Sequence, residues 1–310
     1  MTPSLIQVRS FAKVNLALAV LGKRPDGFHE VRTVIQAIDL CDELELRPAT
    51  KLSFHCEDLD SLPAEQNLIW KSALALSRAA GVSFGAEILL RKRIPVGAGL
   101  GGGSSNAAAA LLGLCRLWQL QLPAQELDRI AADLGSDVPF FLRGGVALAK
   151  GRGTDVHPLP DLPMAFLVVI FPGIHISTAD AYRGLTLGLT FKDGAHRIKR
   201  FCGQMEAGLG CLAGIFNDFE TSILPAYPAI RETKEFLQCR GAIVTLLSGS
   251  GSAVFGFFLD EESALAASRA TQRENWRVFP AKTLSRAEYF HRMFGVTPEP
   301  MSNCGFRIAD

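Results

Sequence analysis

Hydrophobic and polar positions change period several times along this chain. Residues 43–47 read Glu-Leu-Glu-Leu-Arg, the strict alternation of a half-buried strand. Residues 5–21 and 28–39 are rich in apolar and β-branched residues and predict two further strands, split by the breaker cluster Lys23-Arg24-Pro25-Asp26-Gly27. Residues 66–80 place Leu68, Ile69, Ala73, Leu76 and Ala80 at helical spacing, with Gly81 where a C-terminal cap belongs. Residues 86–93 predict a strand, 104–119 a helix, and 124–134 another helix that opens after Pro123 and closes at Gly135. The run at 164–171 is short and wholly apolar, as a buried strand is. Residues 242–247 and 252–258 predict two strands around Ser248-Gly249-Ser250-Gly251. The last twenty residues, with Pro298, Pro300 and Asn303, read as a loose tail.

At 310 residues the chain exceeds what one hydrophobic core usually holds, so the default is two domains with a boundary near residue 160. The division is 1–160, 161–290 and a tail at 291–310. A net charge of +1 argues against a nucleic-acid partner, although Arg91-Lys92-Arg93 offers a local basic spot to a phosphate. Seven scattered cysteines with no CxxC give neither a disulfide framework nor a structural zinc site. The N-terminus lacks the apolar core of a signal peptide, and no stretch of eighteen apolar residues predicts a membrane span. The expected setting is the cytoplasm.

The densest chemical signal is residues 95–106, Pro-Val-Gly-Ala-Gly-Leu-Gly-Gly-Gly-Ser-Ser-Asn. Five of the seven residues from 97 to 103 are glycine, so the backbone can approach a ligand closely. Ser104, Ser105 and Asn106 suit a helix N-cap, and the alanine-rich run after them has high helix propensity. A helix N-terminus behind such a loop is an anion site, and a polyphosphate is its natural guest. A structural turn would tolerate this loop at a cost in chain entropy. Gly97-x-Gly99-x-x-Gly102 fits a dinucleotide fingerprint on paper, but a second helix follows the first where that fold needs a strand. A Walker loop would need a lysine before Ser104, and Gly103 stands there.

Pro95-x₃-Gly99-Leu100-Gly101 with Ser104-Ser105 resembles the phosphate loop of the GHMP kinase superfamily. Ala12-Lys13-Val14-Asn15-Leu16 resembles its first motif, and Leu247-Ser248-Gly249-Ser250-Gly251-Ser252-Ala253 its third, in the right order. Residues Arg24–Glu30 and Leu134–Phe141 narrow the resemblance to a branch acting on a cytidine-diphosphate-linked polyol. That branch phosphorylates a 2-hydroxyl in the methylerythritol phosphate route to isoprenoids. The resemblance spans about Ser10 to Ala287. It implies an α+β fold: an N-terminal domain like ribosomal protein S5, a C-terminal ferredoxin-like domain, and an active site in the cleft between them. The implied cofactor is ATP with Mg²⁺, the protein being a monomer or homodimer. A homoserine- or mevalonate-type kinase, or a non-catalytic ligand sensor on the same fold, stays open at this point.

Lys13 and Asp137 are the expected catalytic pair. A carboxylate near the acceptor hydroxyl can take its proton, and a lysine beside it favours the charge that develops. A lysine in a strand as apolar as Phe11–Leu16 is rarely buried without a partner; Asp137 would also serve as a plain helix N-cap before Val138-Pro139. The resemblance assigns ATP to the loop Pro95, Val96, Gly97, Ala98, Gly99, Leu100, Gly101, Gly102, Gly103, Ser104 and Ser105, with Asn67, Leu68 and Lys92 near the adenine. Lys92 reads equally as a solvated charge. Asn15, Phe28, His29, Thr178 and Tyr182 are assigned to the substrate. His29 would read the cytosine edge, and Phe28 would stack on the base opposite Tyr182, although tyrosine is usual at position 28 in the branch. Asn217-Asp218 is expected to be structural. The metal is expected to ride on ATP, touched by Ser105.

Overall fold

The computed structural model describes residues 4–57, 63–81, 85–185, 191–271 and 273–295. Its spine is the antiparallel pair β1 (Ile6–Lys23) and β2 (His29–Ala49). β3 (Leu52–Cys56) and β4 (Gly85–Arg91) extend the sheet past one end of β2; β5 (Val146–Gly151) and β6 (Asp155–Pro158) extend it past the other. The second sheet begins with β7 (Phe166–Phe171). β8 (Phe216–Asn217) then returns to the first sheet and lies parallel to β1. β9 (Val244–Leu247), β10 (Val254–Phe258) and β11 (Arg277–Lys282) complete the second sheet in the antiparallel order β11-β7-β10-β9. Strand, helices, hairpin, helix, strand in that spatial order is the ferredoxin-like arrangement. The molecule is an α+β protein of two domains.

Helices α1 (Leu68–Ala80), α2 (Gly102–Leu117), α3 (Ala124–Leu134) and α4 (Val138–Phe141) cover one face of the first sheet. The alanines at 107–110 on α2 are fully buried, so the helix lies close to α1 and β1. The C-terminal half supplies α5 (Thr178–Gly184), α6 (Phe191–Gln204), α7 (Glu220–Ala226), α8 (Pro228–Cys239) and α9 (Glu261–Arg269). With α2 on one side and α6 on the other, β1 is buried on both faces from Ser10 to Val20. That double cover explains why its sequence is apolar at nearly every position rather than alternating.

Three expected boundaries move. The strands expected at 28–39 and 43–47 are one strand, because Asp42, which breaks the apolar run, is satisfied inside the sheet. Its Oδ1 accepts from the backbone N–H of Arg93 (2.7 Å) and Ile94 (2.8 Å). Helix α2 begins at Gly102, two residues before the expected Ser104, and its N-cap is Gly101 at φ 70° rather than a serine or asparagine side chain. The tail expected from residue 291 starts inside α10 (Arg286–Met293), which docks on the N-terminal core. Tyr289 is 0% exposed and its hydroxyl donates to Phe141 O at 2.8 Å. Residues 296–310 of that expected tail lie outside the described residues. Among the described residues, no cysteine is in a disulfide and no helix is long and apolar enough to cross a membrane.

Candidate active site

Alternation along β1 sends Lys13 and Asn15 to one face, two residues apart. Lys13 is 3% exposed, and its ammonium donates to Asn15 Oδ1 at 2.6 Å. Asn15 Nδ2 in turn donates to Thr33 Oγ1 at 2.8 Å, which fixes the orientation of the amide. The other partner of Lys13 is Asp137, with Nζ to Oδ2 at 3.6 Å. Asp137 stands at the N-cap position of α4, yet its side chain makes no capping bond. Its side chain is 35% exposed while that of Lys13 is 4% exposed, so the carboxylate is the member of the pair open to a substrate.

The glycine loop is pinned against this pair. Gly97, Gly99 and Gly101 all have positive φ (67°, 78° and 70°), while Ala98 and Leu100 between them are buried at 1% exposure. A backbone whose φ changes sign at successive residues makes anion-binding concavities. Four loop carbonyls are taken by protein donors. Ala98 O accepts from Ala253 N, Gly99 O from Ser248 Oγ and Leu100 O from Lys13 N, each at 3.0 Å; Gly101 O accepts from Ser105 N at 2.8 Å. With its oxygens turned inward, the loop has its N–H edge for a ligand. Gly103 completes the pattern. Its φ is not left-handed, and a Cβ there would meet no protein atom within 4 Å. Neither backbone nor packing requires that glycine.

The second domain closes the site from behind. Asn217 Nδ2 donates to Leu247 O (2.9 Å) and Gly249 O (2.7 Å), tying the turn after β9 to β8. Gly249 then sits so close that a Cβ on it would stand 3.2 Å from Lys13 Nζ. A Cβ on Gly99 would be 2.0 Å from Ser248 O, so the two turns touch backbone to backbone.

Several expected site residues behave differently from the expectation. Lys92 is not a solvated charge. It donates to Asp42 Oδ2 at 2.5 Å and Asn106 Oδ1 at 3.1 Å, and its ammonium lies 3.2 Å from where a Cβ on Gly102 would be. Its charge therefore lies under the start of α2. Ser105 is 1% exposed and accepts from Ser10 Oγ at 2.8 Å, which places its hydroxyl inside the sheet–helix interface. Ser104, only partly buried, faces the α3–α4 connection, 3.8 Å from a Cβ position on Gly135. Asn67 caps α1, accepting from Ile69 N at 2.9 Å, with Leu68 as the first helical residue. Pro95 is buried and Val96 is 49% exposed beside the loop.

The expected substrate group is spread along one rim. Phe28 is half exposed, and the turn before it is held by Asp26, which accepts from Phe28 N at 3.1 Å and pairs with Arg24. His29 lies flat on Tyr182, ring centroids 4.1 Å apart and 10° from parallel. Phe219 packs edge-on against Tyr182, ring centroids 4.9 Å apart. Burial lowers the pKa of His29 below the usual 6.5, with the Lys23 charge assisting. Burial, then the Asp137 charge, pushes the Tyr182 phenol up to about 12. Thr178 is exposed in the first turn of α5, and Ser177 caps that helix, accepting from Asp180 N at 3.0 Å.

Asp42, Ser10 and Asn106 were not legible as site residues in the sequence. They form a buried polar layer beneath the loop, in which Asn106 Nδ2 reaches Asp42 Oδ2 (2.9 Å) and Ser10 Oγ (2.8 Å). β2 also carries Asp39, Glu43 and Glu45, so the sequence did not single out Asp42.

The geometry above has known counterparts. The pattern described as GHMP kinases N terminal domain matches residues 67–145, and that described as GHMP kinases C terminal matches 205–277. The fold is that of a GHMP kinase. The chain is 44% identical over 266 residues to 4-diphosphocytidyl-2-C-methyl-D-erythritol kinase of Solibacter usitatus, covering 84% of this chain and 83% of that one. It is 42% identical over 278 residues to the Pelotomaculum thermopropionicum enzyme of the same name, covering 88% and 96%. It belongs to the 4-diphosphocytidyl-2-C-methyl-D-erythritol kinase family. A crystal structure of 4-(cytidine 5'-diphospho)-2C-methyl-D-erythritol kinase matches with TM-score 0.76 at 33% identity, over 90% of this chain and 99% of that one. A homoserine kinase from Cytophaga hutchinsonii, at 21% identity and TM-score 0.72 over 92% and 96%, shares the fold.

Proposed function

We propose that this protein transfers the γ-phosphoryl group of ATP to the 2-hydroxyl of 4-diphosphocytidyl-2-C-methyl-D-erythritol. The observation that carries this reading is the Lys13–Asp137 pair, 3.6 Å apart, beside a glycine loop whose carbonyls at 98–101 are taken by protein donors. Asp137, the exposed partner, accepts the proton of the substrate hydroxyl as that oxygen attacks phosphorus. Lys13, held by Asn15, supplies positive charge where negative charge builds on the transferring group. The N–H groups of residues 97–103 and the N-terminus of α2 hold the polyphosphate, above the Lys92–Asp42 ion pair.

Ser104, half-buried beside the loop, offers a hydroxyl oxygen, and Mg²⁺ that rides on phosphates needs few protein donors, so the residues fit that ion. Mg²⁺ bound there would neutralise phosphate charge during transfer. Ser104 replaces Ser105 in this role because the Ser105 hydroxyl is buried against Ser10. His29, neutral at pH 7, can both donate to and accept from a cytosine edge, and Phe28 offers a half-exposed ring to the base.

The test is ADP release with Mg-ATP across three acceptors: the cytidine-linked polyol, homoserine and mevalonate. Turnover with the first alone, inhibited by CDP, is expected. Turnover with either of the others, or insensitivity to CDP, would sink the proposal.

A further inference from the structure

We infer that Arg152 is a specificity-determining residue that binds the diphosphate of the nucleotide-linked substrate. This rests on the reading above that cytidine lies at Phe28 and His29 and the reacting hydroxyl at Asp137. A molecule spanning those two points must lay its phosphates between them, and the turn that carries Arg152 contacts both flanks. It sits at the tip of the β5–β6 turn, half-buried, with its guanidinium carbon 5.4 Å from the Phe28 ring centre. The next residue, Gly153, packs on Ser136, the neighbour of Asp137; a Cβ on it would stand 3.5 Å from Ser136 Cβ. The turn therefore touches both the base-reading segment and the catalytic segment.

The side chain is also prepared for an anion. Its Nη2 donates to Ala132 O at 2.8 Å, which fixes the plane of the fork near the end of α3. A guanidinium carries five N–H donors, so one anchored donor leaves a planar edge of the kind that grips phosphate in two places. Asp26, an acid on the same rim, is spoken for by Arg24 at 3.1 Å. Asp26 feels the Arg152 charge, which places that charge over the same rim. Phe28 contributes by lying under the guanidinium, and a ring face attracts a cation there without competing for its N–H groups. A phenyl at position 28 and an arginine at 152 thus work as one unit: the ring orients the fork, and the fork meets the phosphates.

The experiment is calorimetric titration of CDP and of cytidine into the wild type, Arg152→Met and Arg152→Lys, with thermal unfolding of each protein beside it. Loss of charge-assisted hydrogen bonds predicts CDP binding weakened about tenfold to a hundredfold in Arg152→Met. Cytidine affinity stays at the wild-type value, and Arg152→Lys falls between. Equal weakening of CDP and cytidine would show a strut that shapes the Phe28 turn and overturn the inference, as would unchanged CDP affinity in Arg152→Met. Failure of wild-type protein to bind either ligand would instead remove the cytidine reading on which the inference stands.

Discussion

Asp137 illustrates how much one side chain can decide. Its carboxylate keeps free of the helix it precedes, stays open to solvent and stands 3.6 Å from a lysine that is almost wholly buried. Asp137→Asn removes the proton acceptor with little change in shape, so kcat should fall by about 10² to 10⁴ while ATP affinity changes little. Steady-state kinetics with separate titration of ATP checks both halves. Gly103 makes a second, opposite prediction. No protein atom would meet a Cβ there, and alanine is the better helix former, so Gly103→Ala should raise folding stability by up to about 1 kcal/mol. The same methyl intrudes on the phosphates, so the KM for ATP should rise. Denaturant melts and ATP titrations measure the two effects. His29 adds a pH signature. Its pKa is depressed, so the ring is neutral at pH 7 and gains a proton only on the acid side of 6.5. Affinity for CDP should hold down to 6.5 and fall below it, as the imidazole loses its acceptor. These residues were visible in the sequence because motif chemistry is local. Asp42 and Arg152 were not, since their roles depend on strands and turns that meet only in the folded chain.

At the scale of elements, the site depends on one seam. Lys13 N holds Leu100 O, and Ser248 Oγ holds Gly99 O, so β1, the glycine loop and the turn after β9 are fastened at a single point. Ser248→Ala removes one cross-domain bond, with an expected loss of about 1 kcal/mol in unfolding free energy and a rise in the KM for ATP. The periodicity in the sequence foretold most of these elements, including α3 and the C-cap of α1 at Gly81, because amphipathic spacing and glycine caps are short-range signals. It misplaced the start of α2 because the loop glycines run on into the first helical turn, where propensity argues against them. It divided β2 at Asp42 because the donors that satisfy that acid come from residues fifty positions later.

The whole molecule is tied together by its last described helix. After the second sheet ends at β11, the chain returns to the first domain as α10, which opens on a capping box between Ser285 and Glu288. Tyr289 packs its ring against Phe11, centroids 5.4 Å apart, two residues from Lys13. A domain division based on sequence alone could not see this return, since a short amphipathic helix near Pro-rich residues looks like a loose end. A chain ending at Leu284 should lose several kcal/mol from the N-terminal core, lowering Tm by more than about 5 °C; an unfolding scan of the shortened and full chains decides it. The product that the whole assembly makes is read by phosphorus NMR of a reaction with Mg-ATP and 4-diphosphocytidyl-2-C-methyl-D-erythritol. A new phosphomonoester resonance on the polyol is expected, growing in step with ADP and absent with Asp137→Asn. ADP accompanied only by inorganic phosphate, or a monoester that forms equally well without the Asp137 carboxylate, would contradict it.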